Sequence, residues 1–285
     1  RRLNVCPLGS AALAGTNLEG NRFFYVNPLE ADGVTEFNHG QAGRSPWFNT
    51  ACCPSNLARL MPQVSGMMYA VENEDIYLTL YAGSSTQLTL PDGAVDIQQE
   101  TAYPFDGTVK IRLNPEKSQE FRLQLRIPTW AQGEQFVPGK LYHFANEDAA
   151  EWQLSVNGER VEAEMEKGFA VVDRTWQFGD EVLLELPMPI RYNRAVENNR
   201  GQVAITRGPL VYCAEGVDNE LPLQEYQLKR FPEAAEEEIF SEGLLKKVVN
   251  VAISVAEGQK LKLIPYYAWN NRGDTAMRVW FPVEE

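Results

Sequence analysis

The chain has 285 residues, of which 44% are hydrophobic and 23% charged, the composition of an ordinary globular protein with room for about two domains. Its formal net charge of −13 excludes nucleic acids and other polyanions as main partners, because clustered Lys and Arg bind such partners. A neutral or weakly charged substrate fits this charge better.

Cysteine content and hydropathy bear on the redox state of the thiols and on membrane insertion. The four cysteines, Cys6, Cys52, Cys53 and Cys213, are too few for a disulfide scaffold, and we interpret them as reduced or metal-bound. No apolar run approaches the ~18 residues of a membrane helix. No signal peptide is visible, although the chain begins at Arg1 without Met. We expect a soluble protein without a membrane partner. Cytoplasm and periplasm, and monomer and homo-oligomer, are all compatible with the sequence.

The first 46 residues predict turns, loops and one short hairpin. Residues 7–16 combine two glycines with small residues, which is typical of a loop. Aromatic residues between Leu18 and Asn27 predict a β-hairpin, and an irregular loop follows. His39 lies in that loop. A histidine near a cysteine pair can bind a metal ion, but a solvated loop histidine is the favoured interpretation.

The stretch from Trp47 to Arg59 contains two adjacent cysteines followed by proline. A disulfide between neighbours would be strained, because the preferred geometry needs more widely separated Cα atoms. The thiols of Cys52 and Cys53 can instead face one metal ion, or one can bind metal while the other reacts as thiolate. They can equally be two small buried hydrophobes at a helix entrance. Pro54 disfavours the α conformation at the preceding residue, which predicts a bend just before a helix.

One convincing helical pattern occurs in the first half of the chain, at residues 54–72. Its apolar residues fall at helical spacing, at Leu57, Leu60, Met61 and Val64. Pro62 is expected to kink the helix or end it early.

From residue 74 the hydrophobic period changes to two, the spacing of a half-buried strand. Turn signals such as Phe105-Asp106-Gly107 separate the alternating runs. Asn157-Gly158 supplies the positive φ that a type I′ hairpin turn requires. Short strands with regular turns predict an antiparallel β-sandwich. Strands are predicted at 75–81, 85–90, 108–113, 120–127, 151–161, 168–172 and 180–186.

The last third predicts further β structure. Residues 187–201 carry two prolines and predict a crossover. The acidic stretch at 233–247 is compatible with a short helix. Strands are predicted at 202–212, 248–255, 261–267 and 276–281.

Several motifs in one order give a family resemblance. They are Asn21 to Glu30, Trp47-Phe48-x-x-x-Cys52-Cys53-Pro54-x-Asn56-x-x-Arg59, Gln99 to Gly107, Leu125-Arg126-Ile127-Pro128-x-Trp130, Val156-Asn157-Gly158 and Arg207 to Tyr212. Together they resemble glycoside hydrolase family 127, whose type activity is β-L-arabinofuranosidase. The resemblance covers residues 17–285. It implies a mainly β fold, with antiparallel β-sandwich domains that follow a short α-containing remnant of an (α/α) barrel catalytic domain.

This resemblance also implies a domain division. Residues 1–72 would be the barrel remnant with the Cys-Cys-Pro motif, and residues 73–190 the first sandwich. Residues 191–285 would form a second β-rich domain. Its last strand either stays in that domain or returns to the first sandwich.

In the resembled family the first cysteine of the pair is the nucleophile and binds zinc, and the second is a zinc ligand. The resemblance therefore implies that Cys52 is catalytic and that Cys52 and Cys53 bind zinc. A retaining glycosidase needs a nucleophile and a general acid, and a zinc-bound thiolate can serve as the nucleophile. The implied substrate is an arabinofuranoside-like carbohydrate.

The resembled family places its other two zinc ligands, a Glu and a Cys one residue apart, before the segment at Asn21. Its general-acid Glu also lies there. This chain has no Glu-x-Cys in that place, and no acid precedes Cys6. We therefore expect a site that is incomplete in this chain, and whether the chain alone is an enzyme is open.

Two other functions are compatible with the sequence. A non-catalytic β-sandwich module could bind carbohydrate through aromatic faces or pack against a partner domain. Most Trp in such sandwiches are core, so each of the six is interpreted as structural. Residues 7–16 resemble a substrate-binding loop of argininosuccinate lyase, which supports a lyase from one loop only. Asn56 and Arg59 are expected to brace the helix entrance.

Overall fold

The computed structural model describes residues 15–133, 139, 141–146, 151–197, 201–230, 232–237, 248–255 and 258–284. The chain divides into two compact units. The sandwich unit comprises residues 63–133 and 149–188, and the cysteine unit comprises residues 1–62, 134–148 and 189–285. The predicted division at residues 72 and 190 stays a prediction.

One α-helix, α1 (Cys52–Leu60), lies wholly within the described residues, and most other elements there are short strands. In chain order the strands are β1 (Glu30–Ala31), β2 (Tyr69–Glu72), β3 (Asp75–Leu78), β4 (Ser84–Leu90), β5 (Gly93–Thr101), β6 (Thr108–Pro115), β7 (Gln119–Arg126), β8 (Tyr142–Phe144), β9 (Gln153–Val156), β10 (Glu159–Arg160), β11 (Glu164–Glu166), β12 (Phe169–Trp176), β13 (Asp180–Glu185), β14 (Ile190–Ala195), β15 (Gln202–Arg207), β16 (Leu210–Glu215), β17 (Ala234–Glu237), β18 (Asn250–Ser254), β19 (Lys260–Pro265), β20 (Met277–Arg278) and β21 (Trp280–Pro282).

The sandwich unit contains two sheets. One has the order β10-β9-β13-β6-β5-β4, and the other has the order β11-β12-β7-β3-β2. Neighbouring strands run antiparallel, apart from the parallel pair of β3 and β7. The prediction of a mainly β fold with an antiparallel sandwich is confirmed.

Alternating burial along the strands builds the core of the sandwich unit. In β6 the side chains of Val109, Ile111 and Leu113 are fully buried, while the residues between them are more exposed. Such alternation puts one face of a strand into the core. Trp176 ends β12 in the same core, and its Nε1 donates a hydrogen bond to the carbonyl oxygen of Phe121 at 2.9 Å. Each such apolar side chain contributes about 1.5–3 kcal/mol by burial.

The hairpin between β9 and β10 confirms the predicted turn. Asn157 has φ 52° and Gly158 has φ 83°, and Glu159 pairs with Val156 across the turn. Both central residues of a type I′ turn need positive φ, which Asn and Gly adopt at the lowest cost.

The cysteine unit is built on one larger sheet. Its main order is β17-β18-β19-β16-β15-β14-β8, and β21 pairs with β15 at Ala204 and Trp280. β20 pairs with both β16 and β1, so the segment near residue 30 is hydrogen-bonded into the C-terminal part of the chain. The hydroxyl of Tyr266 also donates to the carbonyl oxygen of Pro28 at 2.5 Å. Residues far apart in sequence therefore share this unit.

Several predicted elements differ from the structure. The crossover predicted at 187–201 contains a strand, β14, which pairs with β15 and β8. The hairpin predicted between Leu18 and Asn27 forms no regular strands, but the chain folds back antiparallel over 15–24. The Asn17 N–H donates to the Arg22 carbonyl oxygen at 2.9 Å, and Thr16 and Phe23 form a single bridge. Phe24 in this segment is buried and stacks on Trp269, a distant partner that a local pattern cannot indicate. The predicted helix at 233–247 is wrong for Ala234–Glu237, which form β17, and residues 238–247 lie outside the described residues.

Helix α1 begins two residues earlier than predicted. Cys52 and Cys53 lie in its first turn, not on a bend before it. Pro54 is tolerated there because the first N–H groups of a helix have no partner within the helix. The α-helix ends at Leu60 and continues as a 3-10 turn, Met61–Met67, so the expected effect of Pro62 is confirmed. Within the described ranges, no helix has the length and apolarity needed to cross a bilayer.

Candidate active site

Helix α1 brings the two predicted site cysteines together at its first turn. Cys52 is exposed and Cys53 is half-buried, and their Sγ atoms lie 3.9 Å apart. This separation is far above the ~2.05 Å of a disulfide bond, so both thiols are free. The exposure of Cys52 argues against its interpretation as a small buried hydrophobe.

Tyr25 is a contact of Cys52 that the sequence did not indicate. Its hydroxyl oxygen lies 2.5 Å from the Sγ atom of Cys52. When the sulfur is a thiolate it has no proton to donate, so the tyrosine hydroxyl donates the hydrogen bond. The 27 residues that separate the pair in sequence explain why no local pattern revealed the contact.

Asn38 holds the backbone of Tyr25 in place. Its Oδ1 accepts a hydrogen bond from the Tyr25 N–H at 2.8 Å. Its Nδ2 donates to the carbonyl oxygens of Phe23 at 3.2 Å and Gly43 at 2.8 Å. Asn38 is fully buried, so these bonds replace water and fix the turn around the tyrosine.

Ring contacts surround Tyr25 on its other sides. The ring centroid of Tyr25 lies 4.3 Å from that of His39 and 5.2 Å from that of Phe48. The expected position of His39 in an exposed loop is confirmed, and its ring still packs on the tyrosine. A depression of about 460 Å³ borders this group, and its walls include His39, Phe48 and Trp47.

The hydrogen bonds of this group change the acidity of its members. The hydrogen bond with Tyr25, followed by that with Cys53, lowers the pKa of the Cys52 thiol. The same Cys52 hydrogen bond raises the pKa of Tyr25 to about 12. Burial, followed by the contact with Cys52, raises the pKa of Cys53. Cys52 is therefore the thiol that ionises first.

The other predicted residues play local roles. Arg59 Nη1 donates to Asn56 Oδ1 at 3.1 Å on the exposed side of α1, which agrees with a bracing role. Trp130, Trp176 and Trp269 are fully buried, as predicted. Trp47 is 58% exposed and lines the depression, so its interpretation as core is wrong. Cys213 is buried in β16, and Cys6 lies outside the described residues.

The two cysteines fit one half of a zinc site. In a tetrahedral site with Zn–S bonds of about 2.3 Å, two sulfur ligands lie about 3.8 Å apart. The 3.9 Å between the Sγ atoms of Cys52 and Cys53 agrees with that separation. Among the described residues, no cluster of three or more His, Cys, Asp and Glu side chains could hold a metal ion. The spacing of the two sulfur atoms is therefore compatible with two ligands of one zinc ion, and the described residues show no further ligands beside them.

Three models of one family match the chain in order. The model described as "Beta-L-arabinofuranosidase, GH127 catalytic domain" matches residues 10–66, which contain Tyr25 and the cysteine pair. The GH127 middle domain matches residues 75–188, and the glycoside hydrolase family 127 C-terminal domain matches residues 187–282. The chain belongs to glycoside hydrolase family 127.

Relatives and solved structures agree with this family 127 assignment. The chain is 31% identical to a non-reducing end β-L-arabinofuranosidase of Bifidobacterium longum subsp. longum, over 96% of this chain and 44% of that protein. It is similar to the structure of a GH127 β-arabinofuranosidase, with TM-score 0.86 and 35% identity over 95% of this chain and 44% of that one. A GH127 β-L-arabinofuranosidase from Geobacillus stearothermophilus T6 gives TM-score 0.77 and 36% identity, again over 95% and 44%.

The family 127 chain thus spans less than half the length of these relatives. An argininosuccinate lyase of Caldicellulosiruptor saccharolyticus is 62% identical over 63 residues, which are 20% of this chain and 14% of that protein. The lyase-like residues 7–14 lie outside the described residues.

Proposed function

We propose that the chain carries the nucleophile of a glycoside hydrolase that releases β-L-arabinofuranosyl units with retention of configuration. Cys52 is the nucleophile in this proposal, and Cys52 with Cys53 holds zinc. The observation that carries the proposal is the 2.5 Å contact of the Tyr25 hydroxyl with the exposed Cys52 sulfur, inside the segment that the catalytic-domain model matches.

Retention requires two displacements at the anomeric carbon. In the first, the thiolate of Cys52 forms a C–S bond to that carbon while the glycosidic C–O bond breaks. The leaving oxygen takes a proton from a general acid. In the second, the conjugate base of that acid takes a proton from water, the water oxygen bonds to the same carbon, and the C–S bond breaks to release the thiolate of Cys52. The Tyr25 hydroxyl donates a hydrogen bond to this sulfur each time it carries negative charge.

The cysteine pair fits a zinc ion as two of its ligands, through the Sγ atoms of Cys52 and Cys53. When bound, zinc would keep thiolates ionised near neutral pH. The resemblance assigns the general acid and two further ligands to residues before Asn21 that this sequence does not match. The loss of two ligands and of the groups that support them strongly lowers the affinity of a site for metal. We therefore expect this chain alone to bind zinc poorly and to hydrolyse little.

Zinc content and turnover of the purified chain test this proposal. The chain is refolded in metal-free buffer with one equivalent of zinc, and bound zinc and hydrolysis of an aryl β-L-arabinofuranoside are measured. We expect little of either. One tightly held zinc per chain together with turnover would overturn the expected incompleteness.

A covalent probe tests the nucleophile itself. An arabinofuranosyl haloacetamide is expected to label Cys52 ahead of Cys53 and Cys213, as read by peptide mass spectrometry. The untargeted reagent iodoacetamide is the control for intrinsic thiol reactivity. If the sugar-linked reagent shows no greater preference for Cys52 than iodoacetamide does, the sugar is not directed to this thiol and the proposal fails.

A carbohydrate-binding module is the second candidate, and an exposed aromatic residue favours it. Phe178 in the sandwich unit is 80% exposed and borders a depression of about 630 Å³, together with the polar side chains of Asn114 and Gln177. Aromatic faces next to amides suit a sugar ring. Arabinan binding that survives the double substitution C52S/C53S and is lost in Phe178→Ala would support the module.

A further inference from the structure

Phe24 and Tyr25 are neighbours in sequence, but their side chains lie in different environments. The ring of Phe24 is buried and stacks on the ring of Trp269, with centroids 4.7 Å apart and planes within 9°. The next residue, Tyr25, instead reaches Cys52 with its hydroxyl. The direction of the Tyr25 side chain therefore depends on how the backbone at Phe24 is held.

Trp269 is well placed to hold the backbone at Phe24 through its contact with the Phe24 ring. It follows the 3-10 turn Tyr266–Ala268 directly after β19, is fully buried, and belongs to the same unit as Phe24. Phe37 adds a third ring, with its centroid 5.6 Å from that of Phe24. Aromatic rings attract each other when they are parallel and offset, so this stack favours one orientation of the Phe24 ring.

Arg44 ties the same two rings together. Its guanidinium carbon lies 4.4 Å from the ring centroid of Phe24, and its Nη1 donates to the carbonyl oxygen of Trp269 at 2.5 Å. Its backbone N–H also donates to Asn270 Oδ1 at 3.3 Å. A cation over an aromatic face is attractive, and Arg44 is buried, which strengthens that attraction. Its guanidinium carbon also lies 6.0 Å from the ring centroid of Trp269, so Arg44 contacts both members of the stack.

Asn38 completes the path to the site. It bonds to the N–H of Tyr25 and to the carbonyl oxygen of Phe23, the residues on either side of Phe24. Any shift of the Phe24 ring must therefore strain these bonds or turn the tyrosine. A turn of the tyrosine ring would lengthen the 2.5 Å contact between its hydroxyl oxygen and the sulfur of Cys52.

We propose that Trp269 is a positioning residue for Cys52: by holding Phe24 it keeps the Tyr25 hydroxyl against the nucleophile sulfur. In this proposal the fully buried Trp269 acts on the sulfur through Tyr25, not by contact with substrate. This inference rests on the proposed role of Cys52 as nucleophile. It assigns to the C-terminal β-rich part a role in the geometry of a site 217 residues away in sequence.

A double-mutant cycle tests the inference. The variants are W269L, Y25F and W269L/Y25F, and the measurement is the rate of Cys52 carbamidomethylation at pH 7 with EDTA present, resolved by peptide mass spectrometry. We expect W269L and Y25F each to slow the reaction about fivefold to tenfold, because each removes one hydrogen bond to a thiolate. The double variant should be no slower than Y25F.

A conservative variant and a matched control distinguish a positioning role of Trp269 from general destabilisation of the fold. W269F keeps an aromatic face and is expected to react within about twofold of the natural chain. Trp176→Leu removes an equally buried indole in the other unit and should leave the Cys52 rate unchanged. If W269L does not fold, Phe24→Leu removes the other ring of the same contact, and its effect should likewise vanish in the Y25F background.

Two results would overturn the inference. One is a folded W269L or F24L chain whose Cys52 rate equals that of the natural chain. The other is a slowing that multiplies with that of Y25F, since a merely structural effect would act independently of the hydroxyl. The assay needs neither sugar nor zinc. The result of this assay can therefore be interpreted even if the proposed hydrolase function is wrong.

Discussion

The hydroxyl oxygen of Tyr25 lies 2.5 Å from the sulfur of Cys52, across 27 residues of sequence. The contact singles out one thiol of an adjacent pair. Cys53 lies next to it on the same helix turn, yet its Sγ is 3.9 Å from the Cys52 sulfur and its side chain is less exposed. Two neighbouring thiols thereby acquire different acidity, which matches the different roles proposed for them.

This difference predicts the pH dependence of alkylation. The reactive species is the thiolate, so the rate follows the thiolate fraction and falls as the pH drops through the pKa. The hydrogen bond with Tyr25 lowers the pKa of Cys52, whereas burial raises that of Cys53. We expect iodoacetamide to modify Cys52 first, then Cys53, and buried Cys213 last. Tyr25→Phe should move the Cys52 profile to higher pH, because the hydrogen bond that lowers its pKa is lost.

Tyr69→Phe is the control for that measurement. The hydroxyl of Tyr69 is bonded to Ser84 Oγ at 2.8 Å in the sandwich unit, so its loss should not change the Cys52 profile. An unchanged profile in Tyr25→Phe would show that the hydroxyl does not stabilise the thiolate.

Asn38→Ala should destabilise the chain. The buried amide serves the N–H of Tyr25 and the carbonyl oxygens of Phe23 and Gly43, which would lose their partner without gaining water. We expect the free energy of unfolding in urea to fall by about 2–4 kcal/mol. Asn21→Ala, on the exposed surface, should change it by less than about 0.5 kcal/mol. Equal effects of the two changes would contradict the role given to Asn38.

A second stability prediction concerns the buried carboxylate of Glu215. Arg272 pairs with Glu215, which is fully buried, and with Asp218 Oδ2 at 2.5 Å. Arg272→Met would leave a buried carboxylate without its cation, and we expect a loss of about 3–5 kcal/mol in urea unfolding. Lys110→Met removes a half-exposed ion pair with Glu181 and should cost less than about 1 kcal/mol. A small effect of Arg272→Met would mean that Glu215 is solvated or protonated in the folded chain.

Sequence patterns predicted the β structure because its signals are local. Alternating runs such as 108–113 and the Asn157-Gly158 turn depend on residues within a few positions of one another. The start of α1 was missed because Pro54 disfavours helix at Cys53 in isolation, and the helix forms regardless. Propensity is a weak signal when tertiary packing opposes it.

The partners of the site could not be predicted, for a different reason. Tyr25 contacts Cys52, Asn38 binds the N–H of Tyr25, and Trp269 stacks on Phe24. Each of these contacts joins residues that are more than ten positions apart, and nothing in the neighbouring residues marks them. The cysteine pair itself was visible, since two adjacent cysteines are rare in a chain with four. The hydroxyl that distinguishes them was not.

Gly107 gives a prediction about one of the family-like motifs. A Cβ atom at this position would lie well inside van der Waals contact with the carbonyl oxygen of Leu186, while the Leu186 N–H donates to the Gly107 oxygen at 2.9 Å. Gly107→Ala must therefore push two strands apart, at about 1–3 kcal/mol in urea unfolding. Gly83→Ala meets no described atom and should leave stability unchanged or raise it by up to about 1 kcal/mol. A Gly107→Ala chain of natural stability would exclude this close approach.

Zinc protection tests the cysteine pair as half of a metal site. Added zinc should slow alkylation of Cys52, because a sulfur that binds metal is no longer a free nucleophile. With two ligands we expect half-protection at zinc concentrations on the order of micromolar or higher, far weaker than for a complete four-ligand site. Cys53→Ser should remove the protection and Cys213→Ser, in the buried strand β16, should not. Nanomolar protection that persists in Cys53→Ser would require a ligand set that excludes Cys53, and the two sulfurs at 3.9 Å would then have no metal to share.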